Sequence, residues 1–130
     1  MEEDKNKKKF SVVLVDDDKF LLNMYAMKFT KEGYGITAFQ SSEEALEKFR
    51  LGLSPDVVLL DVVMPGMDGL SLLKILRDEK LILNSAVVIL SNQGAQSDID
   101  NAKALKIDGY IVKATTIPSE VLREVSRIVE

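Results

Sequence analysis

Five short apolar runs alternate with five stretches whose apolar residues recur every three or four positions. No other feature of the chain constrains its fold as much. The runs lie at residues 10–15, 34–39, 56–60, 86–90 and 110–112, and most are rich in Val and Ile. Runs of that length and β-branching are strands. The intervening stretches carry helical spacing. Phe20, Leu21, Met24, Met27 and Lys28, spaced three and four apart, mark the first helix, which Gly33 ends. Ser41 with Glu44 is a capping box, followed by Ala45, Leu46 and Phe49. Leu70, Leu72, Leu73, Ile75 and Leu76 mark the third helix. Ser97-Asp98, Ile99, Ala102 and Leu105 mark the fourth. The fifth starts at Pro118, which suits a first turn, and runs through Val121, Leu122, Val125, Ile128 and Val129.

Strand-helix alternation of this kind implies an α/β fold, with parallel strands, right-handed crossovers and helices on both faces of the sheet. The runs at 10–15, 56–60 and 86–90 are almost wholly apolar and belong in the centre. The run at 34–39 is mixed and belongs on an edge. The fourth helix is polar and short of large apolar residues, so it should be the least stable. At 130 residues the chain makes one domain, residues 10–130, behind a disordered polar tail at 1–9.

In a parallel sheet all strand ends of one kind lie on one edge. The sequence places Asp16-Asp17 after the first strand, Asp61 after the third, Ser91 after the fourth and Lys113 after the fifth. Each residue alone has an ordinary explanation: a charge at a helix N-terminus, a turn, a solvated lysine. Together they form a chemical set. Crowded carboxylates invite a hard divalent cation, Mg²⁺ for choice. An ammonium and a hydroxyl can hold phosphoryl oxygens, and phosphoryl transfer is catalysed mainly by positioning and charge neutralisation. Asp61, at a turn broken by Pro65, Gly66 and Gly69, would then be a nucleophile forming an acyl phosphate.

Composition narrows the alternatives. The chain has no Cys and no His, so it forms no disulfide and no thiolate or imidazole site, and carries no phosphohistidine itself. Its 17 Lys+Arg against 21 Asp+Glu give a net charge of −4, with no attraction to nucleic acid or anionic lipid. No apolar run approaches the ~20 residues of a membrane helix. There is no secretory signal, and a cytoplasmic location is expected.

The motifs Leu14-Val15-Asp16-Asp17-Asp18, Leu60-Asp61-Val62-Val63-Met64-Pro65-Gly66-Met67-Asp68-Gly69, Ile89-Leu90-Ser91 and Gly109-Tyr110-Ile111-Val112-Lys113 together resemble the receiver domain of two-component response regulators. The likeness spans nearly the whole chain. It implies a flavodoxin-like doubly wound (βα)5 fold with strand order 2-1-3-4-5. It implies that Asp61 accepts a phosphoryl group from a histidine kinase or phosphotransfer protein. Asp17 would bind Mg²⁺ directly, Asp16 mostly through water, with the Val63 carbonyl as a further ligand. Lys113 and Ser91 would hold the phosphoryl group. Tyr110 would turn inward with Ser91 and alter the face made by the fourth helix, fifth strand and fifth helix, where a downstream protein binds. Asp18 has no metal role in the pattern and is expected to cap a helix.

Two positions depart from that pattern. Ala114 follows Lys113 where the family usually has proline after a cis bond. Such a bond before a non-proline residue costs roughly 2.5–4 kcal/mol, so a trans Lys113–Ala114 bond is expected. Asn92 follows Ser91 where a small residue is usual. Val63, Asn92 and Gln93 are the expected rate-tuning positions. The resemblance implies a signalling domain rather than an enzyme in its own right. The alternatives are a binding-only pseudo-receiver or a haloacid-dehalogenase-type phosphatase using Asp16 as nucleophile. The chain stops at its last helix, so it is a stand-alone regulator or one piece of a longer protein. A homodimer is left open.

Overall fold

The structure is a computed structural model describing residues 10–92, 96–113 and 116–129. The polar tail at 1–9, Gln93 and the Lys113–Ala114 peptide bond lie outside the described residues. Five strands alternate with five helices: β1 (Ser11–Val15), α1 (Lys19–Lys31), β2 (Gly35–Phe39), α2 (Ser42–Arg50), β3 (Val57–Leu60), α3 (Gly69–Asp78), β4 (Ala86–Ser91), α4 (Gln96–Lys103), β5 (Gly109–Val112) and α5 (Pro118–Val129). All neighbouring pairs are parallel, in the order β2-β1-β3-β4-β5. The three almost wholly apolar runs are central and the mixed one is an edge, as their composition requires.

Side chains alternate across each strand, which divides the core into two layers. Val13, Val15, Val58, Leu60, Val87 and Ile89 face α2 and α3, together with Ala102 of α4. Val12, Leu14, Val57, Leu59, Val88 and Leu90 face α1 and α5. Both faces are covered, which is why these strands are apolar throughout rather than alternating.

Helix starts follow from local chemistry. Asp18 caps α1, its side chain accepting from the Leu21 N–H at 3.2 Å. Ser41 caps α2 by accepting from the Glu44 N–H. Asp68 caps α3 through the Ser71 N–H at 2.8 Å. The residues α1 buries most deeply are not the ones that mark its spacing in the sequence. Phe20 and Met27 are 75% and 73% exposed, and the core takes Leu22, Tyr25 and Phe29 instead. Phe20, Met24 and Met27 share helical spacing with Leu22, Tyr25 and Phe29, so periodicity identifies the helix without fixing which apolar face turns inward. The fourth helix stops at Lys103, earlier than its pattern suggested, and Leu105 lies in the turn beyond it.

Candidate functional site

The carboxyl ends of β1, β3, β4 and β5 meet at one edge, beside the point where the chain turns from β2 back across β1 to β3. In doubly wound sheets, the class on which this rule was established, ligands bind at such a reversal. The ladder runs one residue past the strands. Asp16 N–H donates to the Phe39 carbonyl at 3.0 Å and Asp61 N–H to the Val15 carbonyl at 2.9 Å. The sheet therefore fixes both backbones, side by side, since Val15 is in register with Leu60.

Their side chains are not equivalent. Asp16 is fully buried and both its oxygens are engaged: Oδ1 accepts from the Asp18 N–H at 2.9 Å and Oδ2 from Lys113 Nζ at 2.7 Å. Asp61 is 6% exposed, and its Oδ2 lies 3.4 Å from the same ammonium. It opens onto a cleft of about 270 Å³ lined also by Asp17, Asp18, Val63, Asn92 and Lys113. Ser91 is the last residue of β4, buried at the same edge and in register with Val112.

The turn after Asp61 is folded tightly back on it. Gly69 N–H donates to the Val62 carbonyl at 2.8 Å. A Cβ on Gly69 would lie 2.0 Å from the Asp61 carbonyl oxygen, so only glycine fits. Met64 is buried in the core and anchors the middle of the turn. Val63 is left pointing to solvent at the cleft.

Burial pushes the Asp61 carboxyl up, to about 6. The Lys113 ammonium pulls it down, while Asp16 and Asp17 push it up again. For Lys113, burial works against the charge, but the hydrogen bond to Asp16 and the attraction of both aspartates outweigh it and raise its value. Oxygens of Asp16, Asp17 and Asp61 lie within 4.8 Å of one another. A compact all-oxygen set with one exposed member suits a hard divalent cation that keeps part of its water shell. Asp17 is that exposed member.

Residues 12–125 match the sequence profile described as the response regulator receiver domain. The chain belongs to this family. The receiver domain is 32% identical over 102 residues to the transcriptional regulatory protein CseB of Streptomyces coelicolor, covering 78% of this chain and 42% of that protein. It is 30% identical over 118 residues to the chemotaxis protein CheY of Thermotoga maritima, covering 90% of this chain and 95% of that one. Among solved structures, the receiver domain of the Francisella response regulator 1452 is 31% identical with a TM-score of 0.80, covering 92% and 96% of the two chains. The chain thus spans under half the length of CseB and nearly all of Thermotoga CheY.

Of the residues singled out from the sequence, Asp16, Asp17, Asp61, Ser91 and Lys113 share this one edge of the receiver domain. Val63 and Asn92 line its mouth. Tyr110 is not among the residues that line the cleft. It is half-buried, in register with Ile89 and packed on the side of the sheet that Ala102 of α4 covers. Two residues near the site carried no sequence signal. Tyr25 is buried on α1, and burial raises its phenol above the ordinary value, with Lys113, Asp16 and Asp61 within electrostatic reach. Glu43 touches the turn after Asp61 from α2. Neither is marked by any motif, because both contacts arise only when separate elements pack.

Proposed function

We propose that Asp61 is the phosphoacceptor of a signalling switch. The observation that carries this reading is the contrast between the two neighbouring aspartates. Asp16 has both oxygens committed and no exposure, whereas Asp61 faces an open cleft beside Lys113. The donor would be a phosphohistidine on a sensor kinase or phosphotransfer protein. An Asp61 oxygen attacks phosphorus, the P–N bond breaks, and its electron pair stays on the imidazole. The attacking form is the carboxylate, which prevails above pH 6.

Asp17, Asp61 and the Val63 carbonyl would hold Mg²⁺, with Asp16 acting mostly through water. The ion would neutralise charge on the transferring oxygens. Lys113 would shift from Asp16 toward the phosphoryl group, and Ser91 would donate a hydrogen bond to it. Ser91 movement would let Tyr110 turn inward, shifting a pre-existing equilibrium of the α4-β5-α5 face toward the state a downstream protein binds. Val63, Asn92 and Gln93 would set the lifetime of the phosphoryl group. The domain would take part in its own phosphorylation and dephosphorylation without acting on a separate substrate. No helix among the described residues is long and apolar enough to cross a membrane, which agrees with work in the cytoplasm.

The engaged oxygens of Asp16 disfavour a phosphatase that uses it as nucleophile. The test is incubation with Mg²⁺ and a small acyl-phosphate donor, then with a phosphohistidine protein donor, and mapping of added phosphate by mass spectrometry. Phosphate on Asp61, absent in Asp61→Asn, is expected. Phosphate on Asp16, or none with either donor, would sink the reading. Failure to bind a metal-dependent phosphoryl mimic would favour a binding-only domain.

A further inference from the structure

We propose that Glu43, on the first turn of α2, is a positioning residue for the turn that carries Val63 into the cleft. The proposal rests on the reading of the site given above.

Three observations converge on this contact. Glu43 Oε2 accepts from the Met67 N–H at 3.1 Å. The same oxygen would lie 2.8 Å from a Cβ on Gly66, whose φ is +75°. Glycine at 66 thus serves both the left-handed backbone and the approach of the carboxylate. Beside the bond, Met67 packs partly buried against the core layer that contains Leu46 of α2, and Glu43, Leu46 and Met67 line one shallow groove.

Met64 anchors the turn from the core, and the other contacts act at its ends. Gly69 bonds Val62, and Asp68 turns away to cap α3. Between them, Glu43 holds residues 65–67 from outside by accepting from the Met67 N–H. The capping box that starts α2 uses Ser41 and Glu44, so Glu43 is left available for this second task. A metal or phosphoryl group in the cleft binds a rim already set in place. Ordering that rim on binding instead would reduce affinity.

Glu43→Gln and Glu43→Ala separate the acceptor from the charge. Both remove a favourable charge at the N-terminus of α2, and only glutamine keeps an oxygen for Met67 N–H. In Glu43→Ala, exchange of the Met67 amide should speed up about fivefold, the ratio that ~1 kcal/mol gives. Mg²⁺ binding, followed by calorimetry, should weaken about threefold. Glu43→Gln should stay within twofold of wild type in both. Equal behaviour of the two variants, or wild-type Met67 exchange in Glu43→Ala, would overturn the proposal. If the wild-type domain bound no Mg²⁺, the reading of the site would fall. Met67 exchange would still decide whether Glu43 holds the turn.

Discussion

Asp61→Asn should make the domain more stable at neutral pH. Its carboxyl, ordinarily near 3.8, is pushed up to about 6 in the fold, first by burial. The folded state therefore binds more protons than the unfolded chain between about pH 4 and 6, and wild-type stability falls as pH rises through that window. Above it the ionised group carries a penalty with a ceiling of ~3 kcal/mol. The cleft is open to water, which screens part of this, so ~1.5 kcal/mol is the working value. Asparagine keeps the shape and removes the charge. Lys113 keeps Asp16 at 2.7 Å, and its own raised value puts its titration far above this window. At pH 7.5 the variant should melt ~5 °C higher, from the usual scaling for a domain of this size. By pH 4.5 the gain should shrink toward zero. Mg²⁺ should raise the wild-type midpoint and leave the variant nearly unmoved. Thermal melts by circular dichroism from pH 4.5 to 7.5 measure all of this. An unchanged or lower midpoint at pH 7.5, or a gain that does not depend on pH, would refute the electrostatic argument.

Lys113→Met should have the opposite sign. It leaves Asp16 and Asp61 buried without their cation, and breaking a buried pair costs about 3–5 kcal/mol. The loss should be visible in urea melts at pH 7.5 and should ease on acidification. Asp18→Ala removes the N-cap of α1 and should cost ~1 kcal/mol in the same assay, with Mg²⁺ affinity within twofold of wild type. Phe29→Ala should cost ~3–5 kcal/mol, while Phe20→Ser should stay within ~0.5 kcal/mol. Equal losses would mean that α1 turns its other face to the core.

The contrast between Phe20 and Phe29 also shows where the sequence stops being informative. Element order, sheet centre and edge could be read from runs and spacing, because β-branched runs and caps act locally. The phase of α1 could not. Leu22, Tyr25 and Phe29 compete with Phe20, Met24 and Met27 at the same periodicity, and only docking on Leu14 and Val12 decides between them. The strand-end residues were visible for a topological reason: parallel order sends every carboxyl end to one edge, so Asp16, Asp61, Ser91 and Lys113 meet there whatever the details of packing. Their inequality was not visible. That Asp16 is saturated by Lys113 and the Asp18 amide while Asp61 is left facing water depends on side-chain geometry that no spacing encodes.

That inequality ties stability to function in this fold. An acceptor carboxylate must be ionised, reachable and close to other negative charge if a cation and a phosphoryl group are to be drawn in. Each of these conditions works against the empty fold. Lys113 offsets part of the repulsion, and its shorter contact is with Asp16, at 2.7 Å against 3.4 Å to Asp61. Lys113 thus satisfies Asp16 and leaves Asp61, the proposed acceptor, under-neutralised. Binding energy for an incoming cation is therefore stored at Asp61. Asp61→Asn releases it as extra stability, and Lys113→Met increases it. The two substitutions should consequently fail to add: with asparagine at 61, loss of Lys113 strands one buried charge instead of two. A double-mutant cycle in urea at pH 7.5 should show the Lys113→Met loss reduced by at least ~1 kcal/mol in the Asp61→Asn background, and strict additivity would mean that Lys113 serves Asp16 alone.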